Sequence, residues 1–319
     1  MTTTTGGVIR MQLFPSIPLT EWKSSKETLH RFAQIVGKVR LAASVRRNHW
    51  WNVPYHLTGR GITTRPMGLV DGNPVFSIDF DFVDHRLVVA SIDGRSVSFT
   101  LLGHSVASFY DRTMEALGSL GVKVMIEHPH PFDIPGDGRP FADDTAHATY
   151  DPMWVNRYWQ VLSQVNLVLE QFSGGFSGKI SPVHHFWHTF DIAVTRFSDR
   201  KVEQSPETDL VTREAYSREV ISAGFWFGDD AFAEPAFYSY VVPAPDGLAG
   251  QPVRPATAEW VVQRGSPLAV LRYDDVRTTD DPLGTVLDFY ETVYQAGGRL
   301  AGWDVERLAC PGGITDPCA

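Results

Sequence analysis

Residues 75–82 read VFSIDFDF. Phe76, Ile78, Phe80 and Phe82 alternate with Ser77, Asp79 and Asp81, a period of two that puts an apolar row on one face of a strand and a polar row on the other. That alternation forces the first set inward and leaves Asp79 and Asp81 solvated or facing a pocket. Asp84-His85 then reads as a turn and residues 87–92 as the return strand. Asp93-Gly94 suits a type I′ hairpin, which leads into a third strand over 96–102. A meander with one buried face needs helices or a second sheet to cover it, so the flanking sequence decides the fold class.

Upstream, Leu29, Phe32, Val36, Val39 and Ala43 recur at helical spacing, and Ser24 with Glu27 reads as a capping box opening a helix over 24–43. A strand is expected over 52–64. Downstream, Val106, Phe109, Thr113 and Leu117 share a helix face, with Gly118 and Gly121 as stop signals. Residues 128–150 form a long connection rich in Pro, Gly and Asp, of a kind that is usually a functional loop or a linker. Beyond it, Asp151 is an N-cap and Pro152 the first helical position. Trp154, Tyr158, Leu162, Val165, Leu169 and Phe172 continue that helix to Gly174-Gly175. Strands are predicted at about 185–197, 216–227, 236–242, 258–263 and 268–273. A last helix opens at Asp281-Pro282, carries Leu283, Val286, Leu287, Tyr290 and Tyr294, and closes at Gly297-Gly298. The class is α+β, with a large antiparallel sheet or sheets and flanking helices. Two similar helix–strands–helix halves, 11–127 and 151–303, would be joined by 128–150, with a disordered arm over 1–10 and a tail over 304–319.

The chain has 319 residues, 43% of them hydrophobic and 12% aromatic, with nine Trp and nineteen Phe. That is enough apolar bulk to fill one large core or two ordinary ones and to line a cavity. The formal charge of −9 argues against non-specific binding to nucleic acid or to anionic membrane surfaces, both of which need a basic field. The densest basic groups are Arg46-Arg47 and 196–201. No apolar run is long enough to span a bilayer, and the start lacks the pattern of a secretory signal. Two cysteines, Cys310 and Cys318, fit a cytoplasmic protein; a bridge between them in a tail would stabilise little.

Chemistry is suggested most strongly by 181–191, SPVHHFWHTFD, which holds three of the eleven histidines, His184, His185 and His188. Imidazole is the commonest protein metal ligand and titrates near neutrality. On a helix, His184 and His188 share one face closely enough to share an ion. On a strand they stand roughly 13 Å apart and cannot. The aromatic and β-branched residues that follow favour the strand, in which case ligands from other segments are needed. His49, beside Trp50 and Trp51, and His147, beside Asp143 and Asp144, are the further candidates. His147 is placed to act as an oriented general base, and Asp191 as an acceptor for the second ring nitrogen of a metal-bound histidine. Trp50, Trp51, Trp187 and Trp226 are candidate pocket walls. Phosphate-binding loops, the dinucleotide fingerprint, the serine nucleophile elbow and the H-E-x-x-H zinc motif are all absent from the sequence.

Several stretches taken together resemble one family. They are TLHRFAQIVGKVRLA (28–42), NHWWNVP (48–54), FSIDFDFVDHRLVV (76–89), DDTAHATYDP (143–152), SPVHHFWHTFDIAVTRFS (181–198), TREAYSREVISAGFW (212–226), EPAFYSYVVP (234–243) and AGWD (301–304). The set is similar to the bacterial family called domain of unknown function 5996, over about 11–303. The resemblance implies a soluble protein and brings no activity. It implies that His49, His147 and His184 fall at positions that usually carry His, whereas His185 and His188 fall where Phe and Gly are commoner, and Arg218 where His is common.

These readings lead to an expectation of a metal-dependent enzyme, an oxidoreductase first, acting on a small, partly apolar molecule. Its metal would be iron, copper or zinc, held by His49, His184, His185 and His188. The alternatives are a metal-assisted hydrolase and a non-catalytic small-molecule-binding module with an aromatic pocket. His49, His147 and His184 are expected to converge in space.

Overall fold

The computed structural model describes residues 12–69, 71–134, 138–263 and 265–315. The arm expected over 1–10 and any Cys310–Cys318 bridge lie outside the described residues.

The chain opens with helix α1 (Leu19–Ala43). A five-stranded meander follows: β1 (His56–Thr58), β2 (Gly61–Thr63), β3 (Phe76–Asp81), β4 (Arg86–Ser91) and β5 (Ser96–Thr100), adjacent in sequence order and antiparallel throughout. Helix α2 (Val106–Ser119) closes this part, capped by the Ser105 side chain. Helix α3 (Pro152–Gly174) starts at the predicted Asp151 cap. A second antiparallel sheet then forms from β6 (His184–His185), β7 (Ile192–Lys201), the short helix α4 (Leu210–Ala215), β8 (Arg218–Trp226), β9 (Ala236–Val242), β10 (Glu259–Gln263) and β11 (Ser266–Arg272). Its spatial order is β10-β11-β9-β8-β7-β6. The short α5 (Tyr273–Arg277) and the long α6 (Pro282–Leu300) complete the fold. The α+β class is as read, with two sheets and long helices before and after each.

The period-two reading of β3 holds. Phe76, Ile78, Phe80 and Phe82 are fully buried, while Asp79 and Asp81 are half-exposed. The buried row packs under α1 and α2; Phe32 and Phe109 stack at 3.9 Å, and Phe80 lies beside Phe109. One apolar core runs continuously from this layer into the residues between the second sheet and helices α3 and α6.

Three local expectations are corrected. Helix α1 begins at Leu19, not at a Ser24–Glu27 box: Pro18 occupies the cap in an extended conformation, and buried Leu19 and Trp22 extend the apolar stripe upstream. Gly297 and Gly298 do not stop α6, which runs to Leu300. They let it approach its neighbours, because a Cβ on Gly297 would sit 2.5 Å from Val241 and one on Gly298 would sit 2.7 Å from Val305. The strand expected over 185–197 is broken after His185. Phe186 N–H donates to Asp191 O (2.8 Å) and Phe190 N–H to Phe186 O (2.8 Å), which closes a tight turn with Phe190 at φ 60°.

That turn sits where the two sheets meet. Tyr55, just ahead of β1, exchanges both backbone hydrogen bonds with His185 (2.8 and 3.1 Å) and so joins the edge of the first sheet to the edge of the second. Here His184 pairs with Ala193, and His185 with Ile192. Consecutive residues on a strand point to opposite faces, so the two histidines leave this seam in opposite directions.

Candidate functional site

His185 points inward and is completely buried. Its Nδ1 lies 2.8 Å from the backbone oxygen of Asp191 and its Nε2 lies 2.6 Å from the hydroxyl of Tyr158 on α3. A carbonyl can only accept, so Nδ1 carries the hydrogen and Nε2 accepts from the phenol. Both nitrogens are used, and burial pushes the imidazolium form down to a pKa of about 4 against the opposing pull of the Asp191 carbonyl. His185 is thereby a rivet between the seam and α3.

His184 points outward, yet it too is buried, and neither ring nitrogen has a hydrogen-bond partner. Its neighbours are the rings of His56 (5.3 Å, edge-on), Phe186 (5.8 Å) and Trp51 (6.3 Å). His56, the first residue of β1, forms part of the wall of a cavity of about 410 Å³ together with Arg40, Arg47, Trp51, Asn52 and Arg65. Burial and then the surrounding arginines push both His56 and His184 down to about 3, so both are neutral at physiological pH.

The three arginines set the character of this cavity. Arg40, in the last turn of α1, is 5% exposed, and its Nε is buried without a partner. Burial lowers its pKa to about 10, which still leaves it charged at neutral pH. Arg47 and Arg65 are exposed at the mouth. Among the described residues none of the three has a carboxylate within ion-pair distance, and no acidic residue lines the cavity. Other arginines of this chain do pair, as Arg60 does with Asp81 and Asp84, Arg272 with Glu234 and Glu259, and Arg254 with Asp288.

The backbone around the cavity is held in place. Arg65 adopts φ 58°. Its N–H donates to Thr63 Oγ1 (2.9 Å) and its carbonyl accepts from the buried Thr64 hydroxyl (2.9 Å). Gly68 N–H donates to Ala43 O (3.0 Å), which ties the loop to the end of α1. Asn52 Oδ1 accepts from Arg47 N–H (3.2 Å).

The remaining candidates divide by location. His49 also lies beside Trp51, their ring centroids 5.6 Å apart. Its Nδ1 donates to Glu214 O (3.2 Å) and its Nε2 accepts from Lys179 (2.7 Å), so both nitrogens are used. His49 and Trp50 both have positive φ, 54° and 59°. Trp50 turns away under Arg46, whose guanidinium lies 3.4 Å over its ring, and lines a separate cavity of about 460 Å³ with Leu210, Arg213 and Glu214. His188 lies in the turn, against Phe132 (6.1 Å) and Phe186 (5.4 Å). Trp187 fills a notch on α1, where a Cβ on Gly37 would come within 2.2 Å of its ring. Trp226 packs with Phe232 and Tyr238 on the outer face of the second sheet. Asp191 accepts from Thr189 and Tyr238 through its carboxylate, and it is its backbone oxygen that orients His185.

His147 stands apart from this group. Its Nδ1 donates to buried Asp144 (2.7 Å), which lies 3.6 Å from Arg31. Arg31 precedes Arg40 by nine residues on α1, about 13 Å at 1.5 Å per residue. The structure therefore brings His49 and His184 each into contact with Trp51 and places His147 elsewhere. Among the described residues, no group of three or more His, Cys, Asp or Glu side chains is placed to hold a metal ion.

Sequence reasoning missed Arg40, Asn52, His56 and Arg65. Arg40 carried a signal: it continues the buried line Phe32–Val36 at four-residue spacing, where an apolar residue is expected. Arg65 carried none, because a positive φ at a non-glycine residue is not written in the sequence.

The chain belongs to the family of unknown function DUF5996, whose model matches residues 14–310. No curated protein and no solved structure matches it. Among the described residues, no helix is long and apolar enough to cross a membrane.

Proposed function

We propose that this protein binds a small anionic molecule in the cavity formed by Arg40, Arg47, Arg65, Asn52 and His56. One observation carries the reading: a buried guanidinium without a counter-ion faces a cavity flanked by two more arginines and no acid. Taking a charge out of water is costly unless it is paired, and the missing partner is supplied by an oxyanion. Guanidinium forks match carboxylate and phosphate geometry and bind both with short, charge-assisted hydrogen bonds. In a chain of net charge −9, a local positive field also steers anions to this one place. The cavity volume is within the range of small-molecule sites. The test is a thermal-melt series with phosphate, pyrophosphate, citrate and acetate at fixed ionic strength. At a hundred times its dissociation constant, an anion adds about 2.7 kcal/mol, which raises Tm by several degrees. Arg40→Gln abolishes the rise. Equal melting in all four anions and in chloride contradicts the proposal.

A second reading is favoured by the unpartnered nitrogens of His184. A neutral imidazole has one donor and one acceptor, and a transition metal such as iron, copper or zinc on His184 and His56 would use the acceptors. The protein would then be a metal-dependent enzyme, an oxidoreductase first and a hydrolase second. Two imidazoles are a small donor set, and three guanidiniums repel a dication, which ranks this reading below the anion. Stoichiometric metal after reconstitution, lost in His184→Ala, supports it. Its absence leaves the anion reading alone.

A further inference from the structure

The lining of the same cavity goes further than its charge. Besides its arginines the lining holds apolar residues, Val75, Met67 and Pro66, together with Val45 and Leu69, which are 73% and 78% exposed. An isolated exposed valine or leucine is ordinary. Here both line one cavity that also holds three arginines. Arg65 and Leu69 stand on one loop and both adopt positive φ, 58° and 61°. Each such non-glycine residue stores backbone strain, and that strain collects at ligand sites. The loop is not slack: Met67 exchanges both backbone hydrogen bonds with Phe76 (2.8 and 2.9 Å), and Leu69 N–H donates to Asn73 O (3.2 Å). It presents a charged side chain, Arg65, and an apolar one, Leu69, to the same cavity.

Resting on the anion reading above, we propose that the ligand is amphipathic: a phosphate monoester of an apolar alcohol, its head seated among Arg40, Arg65 and His56 and its tail leaving past Met67 between Val45 and Leu69. The head is assigned by charge. A phosphate monoester carries about −1.5 to −2 at neutral pH, which offsets more of the three guanidiniums than a single carboxylate does. The tail is assigned by the apolar part of the lining, which joins buried Met67 to the exposed Val45 and Leu69.

The test is calorimetric titration of the whole protein with inorganic phosphate, hexyl phosphate, hexanoate and hexanol. The expected result is that hexyl phosphate binds at least tenfold tighter than phosphate, the gain of about two buried methylenes, and tighter than hexanoate, while hexanol does not bind. Leu69→Ser brings hexyl phosphate back towards phosphate. Arg65→Gln weakens both phosphates and, standing on an exposed loop, keeps the test open should Arg40→Gln not fold. Equal affinity for phosphate and hexyl phosphate overturns the amphipathic proposal and leaves the anion reading standing. Tighter binding of hexanoate overturns the choice of head. No binding by any of the three anions overturns both readings. The same head could come from a lipid, so vesicles of phosphatidylcholine with phosphatidic acid form a separate arm. Given the net charge of −9, no co-sedimentation is expected; capture by vesicles without binding of monomeric hexyl phosphate overturns the soluble ligand.

Discussion

His184 and His185 are neighbours on one two-residue strand, and both are buried, but they stand in opposite chemical situations. Inward, His185 has a donor and an acceptor satisfied, with a phenol and a carbonyl matched to a single tautomer. Outward, His184 has neither nitrogen satisfied and faces a second histidine and a ring of arginines. Two of the buried arginines, Arg196 and Arg40, repeat the contrast. Arg196 lies over the rings of Phe172 and Tyr294 (3.7 and 4.2 Å), donates to Phe172 O and has Glu291 at 3.6 Å. Arg40 has no counter-ion at all among the described residues. What differs between the two faces is not burial but completion. His185 and Arg196 find a matched tautomer and a counter-ion within the chain, whereas among the described residues His184 and Arg40 find neither. Burial without a partner costs stability, and it is on this cost at the outer face that the proposed anion site rests.

That comparison is open to direct attack. His185→Ala should cost about 4 kcal/mol in urea unfolding, because it opens a cavity and strands the Tyr158 hydroxyl and the Asp191 carbonyl. A loss under 1 kcal/mol would mean the inner rivet holds nothing. Acid sharpens the contrast next. His56, His184 and His185 have folded pKa values lowered to about 3, 3 and 4, against about 6.5 unfolded. Between those limits the unfolded chain binds more protons than the folded one. Stability is therefore unaffected above about pH 6.5 and falls as pH drops below it, by about 1.4 kcal/mol per pH unit for each histidine. Denaturant titrations at pH 7, 6 and 5 should show that slope, and it should be smaller by one histidine's share in His184→Phe. Tyr158→Phe should cost about 1.5 kcal/mol, the bond to His185 Nε2. The smallest effect has the opposite sign. His184→Phe should stabilise the unliganded protein by about 1 kcal/mol, because an apolar ring of similar shape removes two unsatisfied nitrogens. A clear loss of stability there would erase the distinction between the faces.

Much of this architecture was legible in the sequence, and the reasons are local. The alternation in 75–82 and the helix starts at Asp151 and Asp281 act within a few residues, and the structure keeps them all. The reading failed where a contact came from afar. Gly297 looked like a stop because Val241, which it packs against, is distant in sequence. The strand expected at 185–197 broke because Trp187 is drawn to the notch at Gly37. The site was legible only in part for the same reason. His184 and Trp51 were singled out, and both border the cavity region. The residues that give it charge, Arg40 and Arg65, come from a helix end and a strained loop that only the fold brings together.

The most direct test of the outer face as an unfinished, ligand-completed site is the unfolding free energy of Arg40→Met, measured with and without saturating phosphate. Replacing an unpaired buried charge with an apolar side chain of similar length is neutral or stabilising, so without phosphate the variant should be at least as stable as the parent. With phosphate the parent should gain about 2–3 kcal/mol and the variant little, so that the order of the two reverses. A variant less stable than the parent by the same amount in both conditions would show that Arg40 serves the fold alone, and would contradict the account.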